Sequence, residues 1–73
     1  HRRLREHGLT FKRIVLDVRM ALAQRYLLAS RMALQEIAFL LGYEHVTSFH
    51  RAFQRFTGTT PERFRANGGK EQP

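Results

Sequence analysis

Along the chain, apolar residues recur at intervals of three and four rather than two, the spacing of helices and not of strands. Phe11, Ile14, Val15, Val18, Leu22 and Tyr26 form such a stripe, widened by Ala21 and Leu27. It predicts a long helix from about Phe11 to Ala29 with Thr10 as its N-cap, after Gly8 has closed the basic stretch His1 to His7. Ser30-Arg31 breaks the pattern. A second, shorter helix then runs from about Leu34 to Leu41 and buries Leu34, Ile37, Ala38 and Leu41. Its N-cap falls on Ala33, which has no side-chain oxygen to satisfy an orphan N–H. Gly42 suits a left-handed residue at the helix end.

A third helix is predicted from about Val46 to Phe56, with Phe49, Phe53 and Phe56 on one face and Glu44, His45 and Thr47 competing to cap it. A last short helix starts with Thr60 as N-cap, Pro61 at the first helical position and Glu62 favouring the dipole. Phe64 docks that turn on the core. From Asn67 onward no packing signal remains, and residues 67–73 read as a disordered tail. The fold class is therefore all-α, a small domain of one long helix and three shorter ones.

Composition narrows the class. Seventy-three residues build one small core at most. A hydrophobic fraction of 42% suits a globule and is too high for a disordered chain. The absence of cysteine excludes disulfides, cysteine-ligated zinc and a thiol nucleophile. No apolar run reaches the length of a membrane span. The net charge of +7 and pI ≈ 11.4 point to a polyanion or an anionic membrane as partner.

Two short helices around Gly42, the second basic and amphipathic, outline a helix-turn-helix. With Phe49 at zero and about 100° per residue, Phe53 and Phe56 fall within about 40° and Ala52 about 60° away. The opposite arc holds Thr47, His50, Arg51 and Gln54, with Val46 on the boundary and Arg55 on the other flank. None is acidic. Arg51 has the fork for guanine, Gln54 the amide for adenine, and Val46 or Thr47 the methyl groups for thymine. A plain solvated face is the alternative reading of the same arc.

Arg19, Ala23, Leu27, Leu34, Glu36-Ile37-Ala38, Leu41-Gly42-Tyr43, Phe49, Arg51, Phe53, Arg55, Gly58, Thr60-Pro61 and Phe64-Arg65 together resemble the second helix-turn-helix of AraC/XylS-family transcription regulators. The resemblance covers about two thirds of the chain. Arg3-Leu4-Arg5-Glu6-His7-Gly8 resembles the end of that family's first recognition helix. The family domain carries two such motifs, so the resemblance implies a C-terminal fragment. Residues 1–9 would end a truncated first motif, 10–30 form the linking helix and 31–66 the second motif with its short C-terminal helix. Ala33 departs from the usual Ser or Thr, Tyr43 from the commoner Phe, and Glu44 from a shorter capping residue.

By resemblance, base reading maps to Val46, Thr47, His50 and Arg51, with Gln54 at the far end, in agreement with the arc. Phosphate contacts are expected from Arg31, Ser48, Arg55, Arg63 and Arg65, with Lys12 and Arg13 as further basic candidates and the backbone N–H groups at Leu34 and Val46 as donors. For each arginine a solvated side chain is the competing reading. Arg19 is read as a strut to Glu36. His1, His7, His45 and His50 do not read as metal ligands, since His45 and His50 lack the i, i+4 spacing of a zinc pair. No nucleophile elbow or phosphate loop supports catalysis. The chain reads as no enzyme, with no cofactor and no metal. Its expected partner is double-stranded DNA, in the cytoplasm at the nucleoid, and RNA polymerase or other regulator subunits are further partners that the resemblance implies. A helical interaction module docking through the long helix is the rival reading, with an exposed apolar strip near Phe11, Val15 and Leu22. A membrane binder is disfavoured, because the apolar stripe is needed for the core.

Overall fold

The computed structural model describes residues 2–69, and the side chains of residues 10–69. Four helices follow one another: α1 (Arg2–Ala29), α2 (Leu34–Leu40), α3 (Val46–Thr57) and α4 (Pro61–Ala66). Among the described residues there is no strand. The all-helical architecture and the four-element order are those the periodicity predicts.

The long helix starts earlier than expected. It runs through Gly8 and Thr10, so Thr10 is an interior residue and not an N-cap. One interior glycine costs a helix only about 1 kcal/mol, and no proline enforces a break between Arg2 and Ala29. The phase of its buried stripe is also different. Met20, Ala23 and Leu27 are the buried positions, flanked by the half-buried Leu16 and Tyr26. Phe11, Ile14, Val18 and Leu22, part of the stripe read from sequence, stay exposed, which agrees with the exposed strip expected at Phe11 and Leu22, while Val15 is half-buried. The helix is apolar on two sides, about 150° apart at about 100° per residue. Periodicity cannot tell which side meets the other helices.

Ser30 ends α1 as a small relay: its hydroxyl donates to the Tyr26 carbonyl at 2.7 Å and accepts the Met32 N–H at 3.2 Å. The α1 carbonyl end has no basic residue of its own. Arg65 of α4 supplies one, donating from Nε to the Leu27 carbonyl at 2.9 Å and from Nη2 to the Ser30 carbonyl at 3.3 Å. A cation on exposed helix carbonyls is favourable both as hydrogen bond and against the dipole.

At the start of α2, Ala33 caps with extended backbone alone. Only the reciprocal half of a capping box forms: the Glu36 carboxylate accepts the Ala33 N–H at 3.0 Å. At the other end Gly42 N–H bonds the Phe39 carbonyl (3.0 Å) and Tyr43 N–H the Ala38 carbonyl (2.9 Å). That is a Schellman closure, and Gly42 takes its left-handed position at φ 96°. Arg19 closes over the turn, its guanidinium 5.2 Å from the Tyr43 ring centroid, and a Cβ at Gly42 would stand 3.2 Å from its Nη2. The expected strut from Arg19 to Glu36 is absent. The Tyr43 face attracts the guanidinium while Glu36 turns back onto its own helix start.

Rings tie the remaining elements. Tyr43, Phe49, Phe53 and Phe64 follow one another at centroid distances of 5.8, 5.9 and 5.4 Å, all tilted or edge-on. Phe49 and Phe53 are fully buried, each contributing about 1.5–3 kcal/mol by area, with the ring contacts adding to it. Thr60 caps α4 as expected, its Oγ1 accepting the Arg63 N–H at 3.1 Å. Past α4, residues 67–69 are a second Schellman closure rather than the start of a loose tail. Gly68 N–H bonds the Arg65 carbonyl and Gly69 N–H the Phe64 carbonyl. Gly69 packs so closely on Leu28 that a Cβ would come to 2.9 Å from its Cδ1. The rest of the expected tail, residues 70–73, lies outside the described residues.

Candidate nucleic-acid interface

The turn at Gly42 and the core face of α3 fix what that helix leaves outside. With Phe49 and Phe53 buried, Thr47, Arg51 and Gln54 are exposed, and Val46 and His50 are half-buried at the edges. The five positions expected to read bases thus lie together along one outer arc of α3. His45 resolves the ambiguous cap: it holds the N-cap position with extended backbone and makes no side-chain cap bond. Its carbonyl receives the Ser48 and Phe49 N–H groups at 3.1 and 3.3 Å. No side-chain cap hydrogen bond is made at the N-terminal end of the helix.

The two flanks of this arc differ in charge. Towards α4, His50 Nε2 lies 3.2 Å from Glu62 Oε1. A carboxylate only accepts, so that ring nitrogen carries the proton. Towards α1, Ser48, Arg51 and Arg55 face Arg13 across a cleft of about 560 Å³ floored by Leu16, Ala52 and Phe56. Arg13 is held there on two sides. Its Nε lies 3.1 Å from Asp17 Oδ1, and its guanidinium sits 5.5 Å from the Phe56 ring centroid.

The expected phosphate positions are dispersed. Ser48 and Arg55 meet at the cleft. Arg31, just past α1, and Arg63 on α4 are exposed. Arg65 is half-buried with its guanidinium on the carbonyl end of α1. At Leu34, the Glu36 carboxylate already stands at the helix start. Sequence reasoning misses Asp17 and Glu62, the partners of Arg13 and His50. The i, i+4 spacing of Arg13 and Asp17 carries a signal for the first pair, whereas nothing local links His50 to Glu62. Of the histidines weighed as ligands, His1 and His7 lie outside the residues with described side chains. Among the described residues no three His, Cys, Asp or Glu stand together as a metal site, and no helix is long and apolar enough to cross a membrane.

Comparison with known proteins places this geometry. A helix-turn-helix domain family matches residues 1–67. The chain is 41% identical over 68 residues to the ornithine utilization regulator of Pseudomonas aeruginosa, covering 88% of this chain and 20% of that protein. It is 40% identical over 68 residues to the HTH-type transcriptional regulator VirS of Mycobacterium tuberculosis, covering 93% of this chain and 20% of VirS. With the HTH-type transcriptional activator FapR of Escherichia coli it shares 36% over 63 residues, 86% of this chain and 24% of FapR. The chain therefore spans about a fifth to a quarter of these relatives. No solved structure gives a significant match. The helix-turn-helix match over nearly the whole chain, and relatives such as these regulators, show that the chain belongs to the AraC/XylS family of helix-turn-helix regulators.

Proposed function

We propose that the chain is a sequence-specific DNA-binding part of a longer bacterial transcription regulator, with α3 as the recognition helix in the major groove. The observation that carries this is the outer arc of α3, which has no carboxylate of its own: Thr47, Arg51 and Gln54 offer hydrogen-bonding groups over a buried aromatic face, with His50 bonded to Glu62 at one edge. Arg51 is assigned to guanine and Gln54 to adenine, Val46 and Thr47 to a thymine methyl, and His50 to a hydrogen bond at the edge of the arc. Arg31, Ser48, Arg55 and Arg63 contact phosphates, and so does the uncapped start of α3. Arg65 contributes less, being engaged by the Leu27 and Ser30 carbonyls, and so does the Leu34 N–H, because the Glu36 carboxylate bonded to the neighbouring Ala33 N–H repels an anion at that helix start.

On this reading residues 1–9 end the recognition helix of a first motif, 10–30 link it to the second, and 31–66 are the second motif. The regulator acts in the cytoplasm at the nucleoid, with RNA polymerase as a further partner. The exposed strip Phe11, Ile14, Val18 and Leu22 favours a second, compatible role for α1 as the seat of that first motif.

Arg51→Ala tests the assignment. It is expected to lose about 1–3 kcal/mol of discrimination at one base pair while leaving non-specific binding nearly unchanged. Equal losses on specific and random duplexes would remove Arg51 from base reading. Amide-shift titration with a short duplex should perturb Val46 to Arg55, fading as salt rises. Shifts confined to the Phe11–Ala29 stretch would leave only the interaction role.

A further inference from the structure

We propose that the cleft between α1 and α3 seats one backbone phosphate of bound DNA, and that Arg13 of the long helix is a phosphate contact in it. The inference rests on the groove reading of α3 and adds to it a residue from outside the helix-turn-helix. A helix with its side chains is about 10–12 Å across and the major groove about 12 Å wide. The flanks of an inserted helix therefore run along the two phosphate rows. One flank of α3 carries Glu62 against His50, which repels a phosphate. The other brings Arg51, Arg55 and the Ser48 side chain to the cleft and faces Arg13 across it.

Arg13 is prepared for such a contact. Asp17 takes its Nε at 3.1 Å, and Phe56 lies against the guanidinium. With Nε on Asp17, the two Nη groups are the donors left for a phosphate, and the Asp17 and Phe56 contacts restrict the orientation of the fork. A diester oxygen pair matches that fork, and Arg55 completes a clamp drawn from two helices. Leu16, Ala52 and Phe56 supply the apolar part of the cleft lining.

The test compares Arg13→Ala, Arg51→Ala and Arg55→Ala in this chain across a salt series, on duplexes of several sequences. Arg13 is two-thirds exposed, so its removal does not threaten the core. Arg13→Ala is expected to weaken every duplex about five- to tenfold at low salt and to reduce the salt slope by about one, with base preference unchanged. One methylphosphonate position should weaken the wild-type complex and leave the Arg13→Ala complex unaffected. An unchanged slope in Arg13→Ala, with reduced affinity in the other two variants, would overturn the inference and leave the groove reading standing. No change in any of the three would overturn both. Saturable binding of inorganic pyrophosphate at the Ser48 and Ala52 amides, with DNA affinity insensitive to Arg13→Ala, would assign the cleft to a free anion instead.

Discussion

On α1, Leu16, Met20, Ala23 and Leu27 face the other three helices, while Phe11, Ile14, Val18 and Leu22 face outward on the same helix. The outer face is the more hydrophobic by residue type, since the inner one includes an alanine and a methionine. Yet the inner one is buried. The inner face meets bulky partners: Ile37, Phe49, Phe53 and Phe64 join Met20, Ala23 and Leu27 in one buried cluster. Apolar content says that a face needs cover. It does not say which cover comes from within the chain.

The contrast can be broken by substitution. Leu27→Ala on the inner face should cost about 2–5 kcal/mol in denaturant unfolding, because it opens a cavity that the surrounding rings cannot fill. A loss below about 1 kcal/mol would mean that the inner face is not tightly packed. Arg65→Ala should cost about 1.5–3 kcal/mol, since it removes a charged donor from two carbonyls at the end of that face. On the outer face, Val18→Ser should stay within about 0.5 kcal/mol and reduce concentration-dependent association seen by sedimentation. A large destabilisation there would show that the outer face is already covered by another copy.

Local chemistry was the legible part of the sequence. Thr60, Pro61, Glu62 and Phe64 define α4, because cap, fixed φ, dipole charge and buried ring act within one turn. Gly42 marks its own left-handed position. The same logic applies to Gly68, which follows Phe64 as Gly42 follows Ala38, but the polar residues around it hide the closure. Gly8 and Thr10 misread because a stop signal is only a small cost to a helix continued on both sides. Of the interface, the arc of α3 was legible from its 3.6-residue period. Its neighbours were not: His50 meets Glu62 twelve residues on, and Arg13 meets Phe56 across two helices. Such pairs depend on packing angles that no local pattern encodes. Arg19 shows the same limit, choosing the Tyr43 ring over the oppositely charged Glu36.

The bonds from Arg65 span 38 and 35 residues. Most other bonds in the domain are local, within helices or between adjacent ones. Short-range contacts favour rapid folding, whereas a connection of this reach carries a larger loop-closure cost. The guanidinium is therefore expected to act as a latch on the finished domain rather than as part of its nucleus. Arg65→Ala should accordingly speed unfolding by most of its equilibrium cost and leave the refolding rate nearly unchanged in stopped-flow measurements. Residence in the native state, more than the route to it, is what this side chain governs.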